Sequence, residues 1–202
     1  MIAPDTVPQI KGKSMTEVDE LYTVCTNGKH DPCCSTYGIP VYNALVQQAG
    51  EDSVWQVTHI GGHRMTGTLI AFPQGVYYGH LDAFNAEEVA NNHRAGYLLT
   101  HKYRGRSAYG THMLDVQTHQ AVGAVEHHIR ESAKKYVISD LTLDSVESIG
   151  DMEWRVQFID DKGTAYQAQV ATTMSEPRQS SCNEAPKPMP VHTVTEYAPI
   201  ES

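Results

Sequence analysis

The apolar positions of this chain change period several times, and each change marks an element. Leu21-Tyr-Thr-Val24 is a short apolar run ending at Cys25 and predicts a strand. Val41, Ala44, Leu45 and Ala49 recur at helical spacing between Pro40, a favourable first helical residue, and Gly50, a favourable stop, so a helix is expected over 40–49. Val54, Trp55 and Val57 predict a second strand over 53–58 that delivers His59 into a Gly-Gly loop. Thr68-Leu-Ile-Ala-Phe72 and Val76-Tyr-Tyr-Gly-His80, separated by Pro73-Gln-Gly75, read as a β-hairpin. Asn85 followed by Glu88 has the form of a capping box, and Gly96 supplies a stop, which predicts a second helix. The order strand, helix, strand, hairpin, helix over 20–96 is that of an α/β fold, a central sheet with helices packed on it.

Beyond residue 105 the pattern changes. Leu114, Ala121, Val122, Val125 and Ile129 share one face of a long helix expected over 112–134. Leu141 and Leu143, then Trp154, Val156 and Phe158, then Tyr166, Ala168 and Val170 alternate with polar residues, with Asp161-Lys-Gly163 as a turn, and predict a small antiparallel sheet. The expected division is an extended arm over 1–19, a sheet-and-helix domain over 20–105, a helix with antiparallel strands over 106–175, and an extended Pro- and Ser-rich tail over 176–202.

At 202 residues the chain can bury one substantial core, or one core with a smaller lobe. Its formal charge of -9 disfavours nucleic acid as a partner, because a phosphate backbone would be repelled, and suits a basic protein partner. No run approaches the ~18 apolar residues of a membrane span, and no basic segment leads into an apolar stretch at the N-terminus, so a soluble cytoplasmic protein is expected. Four cysteines, two of them adjacent, are few for a secreted scaffold and point to reduced thiols.

The chemistry concentrates in Cys25-Thr-Asn-Gly-Lys-His-Asp-Pro-Cys33-Cys34 and His59-Ile-Gly-Gly-His63, two thiol-bearing and imidazole-bearing segments within 39 residues. Thiolate and neutral imidazole are good ligands for zinc and for iron–sulfur iron. A metalloprotease helix is a poor reading, since Gly61-Gly62 breaks a helix between the histidines and no Glu follows His59. A closed Cys₂His₂ zinc site fits the ligand types but not the usual Cys spacing. A 2Fe–2S cluster with mixed ligation fits two loops converging at strand ends. The plain alternative makes the histidines loop groups and the thiols small hydrophobes. A thiol oxidoreductase lacks the C-x-x-C such enzymes use. Elsewhere, Arg104 and Arg106 read as structural or solvated cations, with anion binding or docking as the functional alternative, and Cys182 as structural. His127-His128 diverge on their helix, and His80, His93, His101, His112 and His119 read as surface or satisfied groups.

Those two segments, with His59-Ile-Gly-Gly-His-Arg-Met-Thr-Gly67, Pro73-Gln-Gly-Val-Tyr-Tyr-Gly79, Tyr103-Arg-Gly-Arg-Ser107 and Ser181-Cys182, resemble the sucrase/ferredoxin-like family over about residues 20 to 195. The resemblance implies a thioredoxin-like ferredoxin domain over 20–105 holding a 2Fe–2S cluster through two Cys and two His, in an electron carrier or redox subunit. It implies Cys25, His59 and His63 as ligands and Cys34 as the fourth, nine positions after the first, with Cys33 the alternative; Gly61 and Gly62 would offer backbone N–H groups toward sulfur. The potential should exceed that of an all-Cys ferredoxin and depend on pH. The partner so implied is a protein, a reductase with a basic docking surface. Family members commonly carry a further N-terminal half. Glycoside hydrolysis, which the family's name suggests, needs two carboxyl groups flanking a sugar pocket, and no segment nominates such a pair.

Overall fold

The computed structural model describes residues 19–110 and 112–200, and of His63 the backbone alone. The arm expected over 1–19 therefore lies outside the described residues except for Asp19. Twelve elements follow in order: β1 (Leu21–Cys25), α1 (Pro32–Ala49), β2 (Val54–Val57), β3 (Leu69–Phe72), β4 (Val76–Tyr78), α2 (Ala83–Arg94), β5 (Tyr103–Arg106), α3 (Val116–Ala133), β6 (Leu141–Gly150), β7 (Glu153–Asp160), β8 (Ala165–Met174) and β9 (Pro190–Ile200).

The first five strands form one sheet in the order β2-β1-β3-β4-β5. β1 and β2 are parallel, joined by α1 as the crossover, and β3, β4 and β5 follow antiparallel. A βαβ unit feeding an antiparallel hairpin and a helix is a thioredoxin-like sheet. Tyr22, Val24, Leu69, Ala71 and Tyr78 of the sheet are buried against Val41 and Leu45 of α1 and Ala86, Val89 and Ala90 of α2. These positions are the alternating and helical-period residues of the sequence, so burial follows pattern here.

Two helix starts differ from the sequence expectation. α1 begins at Pro32, with Asp31 as N-cap, not at Pro40. Asp-Pro is itself an N-cap and first-turn pair, and Pro40 is carried inside the helix on its exposed face, where the carbonyl of Thr36 that loses its N–H partner faces water. α2 is capped by Asp82, with Asn85 as the reciprocal partner of the box, three residues ahead of the Asn85–Glu88 pairing. The earlier frame puts Ala86, Val89, Ala90 and His93 on one buried stripe.

β6 to β9 form a second, antiparallel sheet in chain order, turning at Gly163 as expected between β7 and β8. Within the segment expected as a tail, Pro190–Ile200 is a strand paired along β8. α3 covers this sheet with Ala121, Val122, Val125 and Ile129, packed on Trp154, Val156, Phe158, Ala168 and Val170. It starts at Asp115, whose carboxylate accepts from the N–H groups of Gln117 and Thr118, so Leu114 lies outside the helix.

The two cores meet through a buried ionic joint. Glu126 of α3, fully buried, accepts from Arg106 Nε at 3.1 Å, Arg130 Nη2 at 2.8 Å, Tyr109 Oη at 3.0 Å and the Tyr103 hydroxyl. Burial alone would raise the Glu126 pKa, but Arg106 and then Arg130 outweigh it and hold the carboxyl below its usual range. Arg106 is thus structural. Arg104 donates to the carbonyls of Tyr103 and His101 and stays half-buried at the surface. Among the described residues no helix is long and apolar enough to cross a membrane.

Candidate metal centre

One end of the thioredoxin-like sheet gathers the chemistry. Cys25 is the last residue of β1, His59 lies two residues beyond β2, and Cys34 sits in the first turn of α1. Cys25 and Cys34 are buried, His59 is half-buried, and one ligand atom from each of the three lies within 4.8 Å of the others. The approach of α1 to β1 is set at Gly38, where a Cβ would stand 2.1 Å from the carbonyl oxygen of Cys25. Only glycine lets helix and strand backbones come this close.

The loop after β2 reaches the site through two left-handed residues, Gly61 at φ 90° and Gly62 at φ 65°. Tyr77 of β4 fixes it, its hydroxyl donating to the carbonyls of Ile60 at 3.1 Å and Gly61 at 2.6 Å. His63 opens the short 3₁₀ turn His63–Met65 that follows, so its backbone belongs to the same loop. The ring of His30 lies on that of His59, with centroids 4.0 Å apart and planes 32° from parallel.

Burial pushes the Cys34 thiol up to about 12, and the hydrogen bond and charge of Cys25 add to the effect. A thiol so buried keeps its proton unless a cation replaces it. The donor set, two sulfurs and an imidazole nitrogen on separate loops, is the soft and borderline set that iron–sulfur iron and zinc take. The residues present fit such a group.

Cys33 and Cys34, adjacent in sequence, turn to different sides because a helix advances about 100° per residue. Cys34 points to Cys25 and His59, while Cys33 forms a disulfide with Cys182. The expectation that all four thiols are reduced is corrected here. The adjacent pair does not bridge; the bond spans 149 residues and ties the segment before β9 to the start of α1. Asp31 makes the same tie with hydrogen bonds. One of its oxygens caps α1 through the N–H of Cys33 at 2.9 Å, and the other accepts from Ser181 Oγ at 2.6 Å and the N–H of Cys182 at 3.0 Å.

Of the four predicted ligands, the structure brings Cys25, Cys34 and His59 together and places the backbone of His63 in the loop beside them. Cys33, the alternative to Cys34, lies in the disulfide. Asp31 and Tyr77 are positioning residues that the sequence reading did not single out. Asp-Pro before a helix was the available signal for the first; the second is a hairpin tyrosine whose role depends on a partner 16 residues away. His127 and His128 diverge, one against Tyr103 and the other against Tyr197.

Residues 3–105 match the Sucrase/ferredoxin-like family. A curated relative, altered inheritance of mitochondria protein 32 of Meyerozyma guilliermondii, is 27% identical over 97 residues, which cover 43% of this chain and 34% of that protein. The chain thus matches about a third of the length of that relative. Among solved structures, the thioredoxin-like [2Fe-2S] ferredoxin from Aquifex aeolicus aligns over 46% of this chain and 97% of its own, with a TM-score of 0.39 and 15% identity. A cysteine-to-serine variant of that ferredoxin aligns over 43% of this chain and 99% of its own, with a TM-score of 0.39 and 16% identity. By the match over residues 3–105, this chain belongs to the sucrase/ferredoxin-like family.

Proposed function

We propose that this chain is an electron-transfer protein, a ferredoxin-like carrier or the redox module of an assembly, in which Cys25, Cys34, His59 and His63 hold a 2Fe–2S cluster. The observation that carries this reading is the convergence of Cys25, Cys34 and His59 within 4.8 Å at the end of the sheet. Family membership supports it. Asp31, beside these thiols in the chain, is engaged as the cap of α1 and in the tie to Ser181 and Cys182.

When bound, the cluster would supply reversible one-electron chemistry. The chain's own residues do the rest. Cys25 and Cys34 release their protons and ligate as thiolates, while the imidazoles ligate neutral. Two neutral ligands in place of two thiolates leave the site less negative and raise the potential above the about -400 mV of all-Cys plant-type ferredoxins. The outer ring nitrogen of a ligating imidazole holds its proton more tightly when the site gains an electron. Electron and proton uptake are linked, and the midpoint potential falls as pH rises.

Iron and acid-labile sulfide analysis of anaerobically purified protein, with its visible spectrum, tests the reading. About two irons and two sulfides per chain are expected; stoichiometric zinc in protein made with ample iron replaces it with a structural Cys₂His₂ site. Cys34→Ser should abolish or strongly perturb the cluster, and Cys33→Ser should leave it bound. A thiol–disulfide role has one observation in its favour, the Cys33–Cys182 bond at the N-terminus of α1. Disulfide reductase activity of metal-free protein, lost in Cys33→Ser, would support that second reading.

A further inference from the structure

The acidity of this chain is unevenly distributed. Between Leu21 and Leu81 it carries three carboxylates, Asp31, Glu51 and Asp52, and between Val89 and Leu114 it carries none. Topology sorts these by end. β1, β2 and β4 finish, and β3 and β5 begin, at the end of the sheet that bears Cys25 and His59. Glu51 and Asp52 lie before β2, and Asp19 and Glu20 before β1, at the opposite end, where Glu20 pairs with Arg94 at 2.9 Å.

The site end collects cations instead. Arg64 follows His63, His80 follows β4, and Lys102 and Arg104 stand at the start of β5. Backbone contacts make these one surface. His80 N–H donates to the Met65 carbonyl at 2.9 Å, and Lys102 Nζ donates to the His80 carbonyl at 2.6 Å. A Cβ on Gly79 would touch both Met65 and Arg104. Desolvation and then the charges of Arg104, Lys102 and Arg64 lower the pKa of His80, which places three cations around one imidazole. The carboxylates at this end are Asp31, buried, Asp82, which caps α2, and Glu87 and Glu88, exposed on the next turn of that helix. From the second lobe, Glu131 faces His127, and Glu184 pairs with Lys187 at 2.6 Å. Phe84, in the first turn of α2, is 95% exposed and shares its helix face with Glu87 and Glu88, so the cationic patch is the one around His80.

Building on the electron-carrier reading above, we propose that the patch around His80 at this end of the sheet is a docking face for an acidic redox protein, with Arg64, Lys102 and Arg104 meeting its carboxylates. The whole-chain charge of -9 suggested a basic partner. Distance decides between the two charge sets. A five-residue strand separates the ends by about 16 Å, roughly two Debye lengths at physiological salt, so a partner at the site end meets the local cations and not the distant carboxylates. Docking there also brings the partner's redox group to the loop that carries His59 and His63.

Titration of the full chain with an acidic b-type cytochrome, followed by calorimetry at low and high ionic strength, tests this. Binding that weakens with salt is expected, with Lys102→Glu weakening it about tenfold. Absence of binding to the acidic probe, or binding that Lys102→Glu leaves unchanged, overturns the proposal, as does salt-sensitive binding of basic cytochrome c that Lys102→Glu strengthens in its place. The visible spectrum of the same sample reports on the cluster separately. A colourless chain that binds the acidic probe would refute the carrier reading and keep the docking face; a coloured chain that ignores it would do the reverse.

Discussion

Two buried carboxylates, Glu126 and Asp31, each fasten the second half of the molecule to the first, by opposite means. Glu126 sits between the two cores, where no water reaches, and is matched by two guanidinium groups and two hydroxyls. Asp31 sits beside Cys34 of the candidate site, accepts from neutral donors and a helix N-terminus, and has a covalent bond next to it. An ion in a dry interior needs countercharge, and each partner depends on the others. A carboxylate at a helix start is served by backbone N–H groups already aimed at it, so charge balance matters less than geometry. The first joint holds the lobes together, and the second holds a strap across the start of the helix that presents Cys34.

Breaking the ionic joint should have the largest effect. Glu126→Gln leaves Arg106 and Arg130 without a counterion and turns an amide donor toward two tyrosine hydroxyls, at a cost of about 3–5 kcal/mol. Thermal unfolding should shift down by about 10 °C. The sign with pH follows from the depressed carboxyl: its stabilisation is full above the unfolded glutamate value near pH ~4.3 and is lost as pH falls through the lower folded value. Wild type should therefore lose more stability than the variant on acidification, as urea titrations at pH 7 and pH 3 would show.

The covalent strap comes next. Cys182→Ser should cost about 2–4 kcal/mol under oxidising conditions and nothing relative to wild type once a phosphine reductant is present. Equal melting temperatures in both media would mean that the bond does not form in solution.

Asp31→Asn separates cap from strap. The amide keeps one oxygen for the N–H of Cys33 but sets an NH₂ against the N–H of Cys182, so about 1–3 kcal/mol is expected. The effect should appear as faster amide exchange at residues 180–183 with α1 still protected. Smallest is Tyr77→Phe, which removes the hydroxyl that holds the carbonyls of Ile60 and Gly61, for about 1 kcal/mol. Global stability should barely change while amide exchange at residues 60–63 rises.

The sequence revealed much of the first joint's scaffold and little of the joint itself. β1, β2 and the β3–β4 hairpin lie where alternation and the Pro-Gln-Gly turn put them, because one buried face imposes period two. α3 was visible from Ala121, Val122, Val125 and Ile129, yet the same period places Glu126 and Arg130 on that buried stripe. A Glu and an Arg four apart look like a solvated pair until Arg106, twenty residues back, is seen to complete them. At the candidate site, the residue types and the two loops were legible because ligand chemistry is local. The strap was not: a disulfide across 149 residues leaves no periodic trace, and Asp31 shows its cap in sequence but not Ser181 at its other oxygen.

The missing side chain at Gly38 has a consequence for how this site can drift over evolutionary time. Helix and strand rest on each other there through main-chain atoms, with no room for even a methyl group. The gap between the Cys25 and Cys34 sulfurs is therefore gauged by peptide geometry, which every sequence shares, and not by the fit of Val41 and Leu45 in the core below. Those core positions are free to exchange among apolar residues of similar volume without re-spacing Cys25 and Cys34, whereas a single methyl at position 38 would pry the two thiols apart.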